Sequence, residues 1–71
     1  MRLLDCEVGK RYTIIKLDVV NKRIENFGFK PLEQVVVLYK TTKVIFVSLL
    51  GTFLAIDKNL AANILVVQGG F

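Results

Sequence analysis

A single cysteine and the complete lack of histidine limit how this chain can be stabilised. Its 71 residues leave room for one domain. A domain of this size buries only about 60% of the surface that its unfolded chain exposes. Small domains are therefore usually reinforced by disulfides, a metal or a partner. Because Cys6 cannot form an internal disulfide and zinc would find almost no ligands, we expect a dense apolar core, a partner surface, or both.

Hydrophobic residues make up 54% of the chain, which exceeds the roughly 45–50% of ordinary domains. The excess is either exposed and used for binding or simply what a small domain needs in order to fold. The longest uncharged stretches, residues 44–56 and 59–71, have 13 residues each. A membrane-spanning helix needs about 20 apolar residues, so we predict no membrane insertion. No apolar signal region precedes Cys6, and an unpaired thiol suits the reducing cytoplasm, where we expect the protein.

The net charge of +4 comes from ten basic and six acidic residues. Seven of the basic residues but only four of the acidic ones lie in residues 1–31, so the excess is concentrated in the first half. Such a bias favours encounter with an acidic partner surface. The Lys and Arg residues form no clustered run, which argues against a nucleic-acid partner.

Strand patterns dominate the chain, and we predict strands over residues 11–18, 34–39, 43–50, 52–56 and 64–68. In the first, the apolar side changes from Tyr12 and Ile14 to Ile15 and Leu17, which predicts a β-bulge. The continuous apolar runs at 34–39 and 43–50 indicate strands covered on both faces. Thr41-Thr42 would form a tight hairpin between these two strands, and Gly51 would reverse the chain after the second.

Two short helices are predicted between the strands. Asn21 is a good N-cap for residues 22–27, with Gly28 as the left-handed end, and Val20, Ile24 and Phe27 form its apolar side. Asp57 similarly caps residues 58–62, with Asn63 as the left-handed residue. The order β-α-β-β-β-α-β predicts a mostly β fold, a small, partly open barrel of about five strands. Residues 1–71 would form one domain, with 69–71 as a flexible tail.

Several short motifs occur in a defined order between residues 3 and 67. They are Leu3-x5-Gly9-Lys10, Arg23-Ile24-x2-Phe27-Gly28-Phe29-x-Pro31, Gly51 with Leu54-Ala55-Ile56, and Ala61-x2-Ile64-x-Val66. Together they resemble the FeoA family of ferrous-iron uptake accessories. Ile24 and Phe27 stand where that family has leucines, and Leu32 stands where it has a glycine after the proline. The turn at Leu32 therefore either needs no positive φ or accepts strain to reach it.

The resemblance implies an SH3-like barrel with two short helices, one after the first strand and one before the last. It also implies a cytoplasmic accessory that binds and modulates FeoB, a membrane ferrous-iron transporter with a GTPase domain. A weak homo-oligomer is compatible with this role. Related domains also occur at the end of metal-responsive repressors, but this chain contains no pattern of a helix-turn-helix that could read DNA.

The surface around the first predicted helix is the candidate site for such a partner. Basic side chains surround an apolar slot there, an arrangement in which charges steer the encounter and apolar anchors hold the complex. The predicted contact residues are Lys22, Arg23, Phe27, Phe29, Lys30, Pro31 and Leu54. The alternative is that the apolar members are core residues and the basic ones a solvated surface.

We expect no catalysis, because no histidine is available to activate Cys6, Ser48 or a threonine as a nucleophile. We expect no cofactor and no specific iron site either, because iron sites typically combine histidine with carboxylates. The carboxylates are scattered, at Asp5, Glu7, Asp18, Glu25, Glu33 and Asp57. Cys6 is predicted to be a small core residue.

Two other classes of function remain open. A small barrel can bind single-stranded nucleic acid by stacking bases on exposed aromatic residues. Tyr12, Tyr39, Phe46 and Phe53 could serve, although strand aromatics in apolar runs are normally core. Alternatively, the edge strands of a partly open barrel could make the protein a self-associating module.

Overall fold

The fold is described by a computed structural model for residues 1–18 and 26–69. Its five strands form one antiparallel sheet in the order β4-β3-β2-β1-β5. The strands are β1 (Arg11–Leu17), β2 (Gln34–Lys40), β3 (Val44–Leu49), β4 (Thr52–Asp57) and β5 (Ile64–Gln68). A 3-10 turn (Leu3–Asp5) precedes them, and the helix α1 (Lys58–Ala61) separates β4 from β5. The predicted mostly β, five-stranded architecture is confirmed. The helix predicted over residues 22–27 lies largely outside the described residues.

The bulge predicted in the first strand is present. Ile14 lies opposite Val66 of β5 and Lys16 lies opposite Leu65, so Ile15 is the extra residue. The first part of β1 also pairs with β2, while β1 pairs with β5 over most of its length. Because a bulge bends its strand and increases the local twist, β1 can belong to both halves of the curved sheet.

The prediction that β2 and β3 are covered on both faces is wrong. In β3 the buried residues Ile45 and Val47 alternate with more exposed ones, and in β2 Tyr39 is 61% exposed. An antiparallel sheet in a small barrel packs one face on the core and leaves the other in solvent. The apolar runs therefore place several large side chains on the outer face.

The core contains side chains from all five strands and from the segments that close the barrel. Leu3, Cys6 and Ala61 contribute from outside the sheet, and Phe29 contributes from the connection between β1 and β2. Each of these four residues is at most 1% exposed. The remaining members are Tyr12, Ile14, Val35, Val37, Ile45, Val47, Leu49, Ile56, Ile64 and Val66.

The predicted second helix and its cap are confirmed, with one correction. Asp57 Oδ1 accepts a hydrogen bond from the Leu60 N–H at 2.8 Å, as an N-cap does. Asn63, predicted to be left-handed, is not among the described residues with positive φ. Its side-chain amide instead donates to the Asn59 carbonyl at 3.0 Å, which ends the helix without a left-handed residue.

Different turns join the central strands. Between β2 and β3 the connection is one residue longer than the predicted Thr41-Thr42 pair, and Thr41 Oγ1 accepts a hydrogen bond from the Val44 N–H at 3.0 Å. Between β3 and β4 the two turn residues both have positive φ, 54° at Leu50 and 77° at Gly51. This is the pattern of a type I′ turn, whose first position favours Asn, Asp or Gly. A leucine there costs about 1–2 kcal/mol.

We therefore expect Leu50→Asn to raise the free energy of unfolding by about 0.5–1 kcal/mol, because asparagine tolerates this conformation. Leu50 is 61% exposed, so little buried surface is lost. Thermal unfolding would show a melting temperature several degrees higher. Gly51→Ala is the opposite control and should lower the melting temperature. A lower melting temperature for Leu50→Asn would contradict this account of the turn.

The two ends of the described chain are attached to the sheet. The Val66 N–H donates to the Met1 carbonyl at 2.7 Å, and Arg2 forms a bridge with Leu65. At the other end, the Gly69 N–H donates to the Arg11 carbonyl at 2.8 Å. The flexible tail predicted over residues 69–71 stays a prediction, because residues 70 and 71 lie outside the described residues. Within the described part of the chain, no helix is long and apolar enough to cross a membrane.

Candidate partner-binding site

The segment that leads into β2 begins at Gly28, which has the predicted left-handed conformation with a φ of 97°. Its backbone also lies close to the β3–β4 turn. A Cβ atom at position 28 would lie 2.9 Å from Leu50 Cδ1, closer than side chains normally approach. Both the conformation and the close approach explain the glycine at this position. The segment therefore passes close to the turn that follows β3.

Phe29 is completely buried, with 0% exposure, whereas its neighbour Phe27 is 43% exposed. The prediction that Phe29 offers its ring to a partner is therefore corrected. Its ring packs in the core and fixes the segment against the barrel. Phe27 remains a candidate contact residue.

A tight turn follows Phe29. The Glu33 N–H donates to the Lys30 carbonyl at 3.2 Å, with Pro31 at the second position of the turn and Leu32 at the third. Leu32 has a φ of 76°, as the third position of a type II turn requires. Glycine normally occupies this position, so of the two alternatives raised by the sequence, the turn accepts strain.

The turn is fastened to β1 where that strand bulges. The Leu32 N–H donates to the Ile14 carbonyl at 2.7 Å, and the Ile14 N–H donates to the Glu33 carbonyl at 2.9 Å. Leu32 is nevertheless 71% exposed. The backbone of this leucine is therefore fixed while its side chain lies in solvent. Sequence reasoning flagged the turn but did not propose Leu32 as a contact residue.

A pocket of about 360 Å³ lies beside the turn and is lined by Leu17, Phe29, Lys30 and Pro31. Three of these residues were predicted site residues, and the structure brings them together. Leu17 was missed as a site residue, although it was recognised as an apolar position after the bulge. We call Phe27, Lys30, Pro31 and Leu32 with this pocket the turn surface.

The other predicted site residues lie elsewhere. Leu54 is half-buried and packs against the core from β4, so it does not line the pocket. Lys22 and Arg23 lie outside the described residues. Lys30 is exposed, and none of the described ion pairs involves it. Among the described residues, Lys30 therefore supplies the positive charge of the turn surface.

Two of the carboxylates that were considered as iron ligands, Asp5 and Glu7, form ordinary surface ion pairs. Arg2 Nε lies 3.2 Å from Asp5 Oδ2, and Lys10 Nζ lies 2.8 Å from Glu7 Oε2. The hydrogen bond from Lys10, followed by its charge, lowers the pKa of Glu7. Among the described residues, no three His, Cys, Asp or Glu side chains come together as metal ligands.

Cys6 is a core residue, as predicted, with 1% exposure. Burial raises the pKa of its thiol to about 11. The thiolate is the nucleophilic form of cysteine, so the Cys6 thiol is poorly suited to nucleophilic chemistry at neutral pH.

This shift predicts a pH-dependent loss of stability. Between about pH 9 and pH 11 the unfolded chain releases the thiol proton before the folded chain does, so stability falls as the pH rises. We expect the wild type to lose about 2–3 kcal/mol more than Cys6→Ala between about pH 8 and pH 11. Urea unfolding of both proteins at the two pH values measures the difference. Equal losses would show that Cys6 does not titrate with folding.

Comparison with known proteins assigns the family. The FeoA domain profile matches residues 1–68. The chain belongs to the FeoA family. A search of curated proteins finds no match.

Solved structures share the fold of this FeoA chain. A crystal structure of an iron uptake regulatory protein, FeoA, has 22% sequence identity and a TM-score of 0.89, covering 96% of this chain and 94% of the other. The solution structure of a FeoA protein from Chlorobium tepidum has 24% identity and a TM-score of 0.84, covering 93% and 68%. A manganese-dependent transcriptional repressor has 19% identity and a TM-score of 0.88, covering 96% of this chain but 36% of its own. At these identities the similarities establish the fold alone.

Proposed function

We propose that this FeoA chain is a cytoplasmic accessory of ferrous iron uptake that binds and modulates the cytosolic region of the FeoB membrane transporter. Family membership over residues 1–68 supports the pathway. One solved neighbour is named an iron(II) transport protein A from Clostridium thermocellum, and this chain covers 44% of its length. The role needs neither catalysis nor membrane insertion by the chain itself.

The observation that carries the binding role is the exposed, strained Leu32. Backbone strain costs stability, and it persists at sites where function benefits from the conformation. At Leu32, φ is 76° and the side chain is 71% exposed, so the leucine gains little from packing in its own fold. A partner that buried the Leu32 side chain would explain why a leucine, and not a glycine, stands at this turn.

Charge and shape around Leu32 support the same role. Lys30 and Pro31 are exposed, and with Leu17 they line the adjacent pocket. An apolar group of the partner would enter the pocket, and a carboxylate of the partner would pair with Lys30. The net charge of +4 favours encounter with such an acidic surface.

The proposal is tested by ferrous iron uptake in cells that lack the protein. We expect uptake to fall without it, and to be restored by the wild type but not by Lys30→Glu. Lys43→Glu, which reverses an exposed lysine in the β2–β3 connection, is the matched control and should restore uptake. Uptake that does not depend on the protein would refute the transport role. Equal rescue by both variants would refute the role of Lys30.

A further inference from the structure

The two edges of the sheet differ in how they are covered. At the β5 edge, Met1 and Arg2 pair with Val66 and Leu65. At the β4 edge, no described segment pairs with the strand. Edge strands are usually protected from pairing with other chains by lysine, proline or a bulge. Along β4 (Thr52–Asp57) the residues are TFLAID, with no lysine, proline or bulge. The one charged side chain, Asp57, is at the end of the strand and caps α1.

The register of the β3–β4 hairpin identifies which backbone groups of β4 point away from β3. Leu49 and Thr52 flank the two-residue turn and form its hydrogen-bonded pair. Hydrogen-bonded and non-hydrogen-bonded pairs alternate along an antiparallel ladder. Thr52, Leu54 and Ile56 therefore direct their backbone groups to β3. The N–H and C=O groups of Phe53 and Ala55 point away from the sheet.

The side chains of Phe53 and Ala55 lie on the same outer face of the sheet, and they differ in size. Phe53 is 76% exposed, and Ala55 is exposed two positions further along. Ala55 lies opposite Phe46, which lies opposite Tyr39, and the two rings are 6.0 Å apart between centroids. A row of two aromatic rings thus ends in an alanine at the open edge. We call Tyr39, Phe46, Phe53 and Ala55 the outer aromatic face.

We propose that the β4 edge pairs with the β4 edge of a second copy of this chain, in an antiparallel register centred on Leu54. A two-fold axis perpendicular to the sheet at Leu54 places Phe53 of each copy opposite Ala55 of the other. The outward N–H and C=O groups of these residues then form four hydrogen bonds across the axis. Each Phe53 ring fills the space above an alanine and extends the row of Tyr39 and Phe46. The edge is therefore complementary to itself, which is the requirement for a two-fold interface.

Other occupants fit the outer aromatic face less well. Single-stranded nucleic acid needs cations beside the stacking rings, and no Lys or Arg stands among the outer-face residues of β2–β4. The paired ones are Gln34, Val36, Tyr39, Val44, Phe46, Ser48, Phe53, Ala55 and Asp57, and the bulge residue Leu38 is also exposed. A strand of another protein could bond to the edge, but the pairing of Phe53 with Ala55 specifically suits a second copy.

The contact area indicates a weak dimer. Tyr39, Phe46 and Phe53 are 61%, 38% and 76% exposed. Only Phe53 lies on the edge strand, and for an aromatic side chain of about 200 Å² its exposed part is roughly 150 Å² per copy. Stable interfaces bury about 800 Å² per partner. Association should therefore depend strongly on concentration.

Sedimentation equilibrium from about 10 μM to about 1 mM tests the proposal over the range expected for a weak complex. We expect the average mass to rise from 8.0 kDa towards that of a dimer. Phe53→Lys and, as a second variant, Ala55→Lys should stay monomeric at all concentrations. Val8→Lys, which changes an exposed apolar residue that precedes β1 and belongs to neither proposed surface, should associate like the wild type. In the wild type, amide hydrogen exchange at Phe53 and Ala55 should slow with concentration.

Three outcomes would overturn the proposal. The wild type could remain monomeric at the highest concentration. Phe53→Lys and Ala55→Lys could associate as the wild type does. At higher protein concentration, hydrogen exchange could slow at other amides and not at those of Phe53 and Ala55. Binding of a single-stranded oligonucleotide that is abolished by Phe53→Lys, without any dimer, would assign this face to nucleic acid instead.

Discussion

Replacing Phe29 with alanine should destabilise the protein by about 3–5 kcal/mol, the range for truncating a fully buried phenylalanine. Phe29 has 0% exposure and fixes the long β1–β2 connection to the core. A domain of this length has a total stability of roughly 4–10 kcal/mol. The variant should therefore be partly or largely unfolded. Urea or thermal unfolding followed by circular dichroism measures the loss.

Phe53→Ala is the matched control, because it removes the same atoms from a side chain that is 76% exposed. Surface substitutions of this kind usually change stability by less than about 0.5 kcal/mol. Similar losses for the two variants would contradict the placement of Phe29 in the core. The prediction also has a practical consequence. Loss of partner binding by Phe29→Ala would report unfolding and not a lost contact.

Leu32→Gly should make the protein more stable and at the same time a weaker binder. Glycine relieves a strain of about 1–2 kcal/mol at a φ of 76°, partly offset by about 0.4–1 kcal/mol of added chain entropy in the unfolded state. The net gain is therefore between about 0 and 1.6 kcal/mol. If the leucine side chain is a partner anchor, affinity for the cytosolic region of FeoB should fall at least about tenfold, or 1.4 kcal/mol.

Thermal unfolding and isothermal titration calorimetry give the two quantities for each variant. Leu50→Gly is the matched control, because it relieves the other leucine with positive φ without changing a residue of the turn surface. It should gain stability and keep its affinity. A purely structural role for Leu32 predicts that Leu32→Gly binds as tightly as the wild type. That result would remove Leu32 from the proposed site.

Much of the fold follows from local sequence patterns. The shift of apolar positions between Ile14 and Ile15 predicted the bulge, because side chains alternate along a strand and an extra residue reverses that alternation. Asp57 and Gly28 were recognised because a side-chain cap and a left-handed residue each need particular residue types. In each case the signal lies within a few residues of the feature.

The candidate site depended on features that the local sequence does not carry. Phe27 and Phe29 are equally apolar, but one is 43% exposed and the other is fully buried. Helical spacing placed Phe27 with Val20 and Ile24 on the apolar side of the predicted helix, which did not reveal its exposure. Phe29 lies beyond that helix, where no periodicity indicates which side faces the core. The exposure of Tyr39 and Phe53 was likewise hidden, because a continuous apolar run does not show whether a second layer covers the sheet.

Partner binding at the turn surface is the central property proposed for this chain, and a titration followed by NMR tests it most directly. The chain would be labelled with nitrogen-15 and titrated with the cytosolic region of FeoB. We expect the largest changes in amide signals at residues 27–33, with small changes at Tyr39, Phe46 and Phe53. No change with excess partner, or changes confined to the outer aromatic face, would contradict the proposed mode of action.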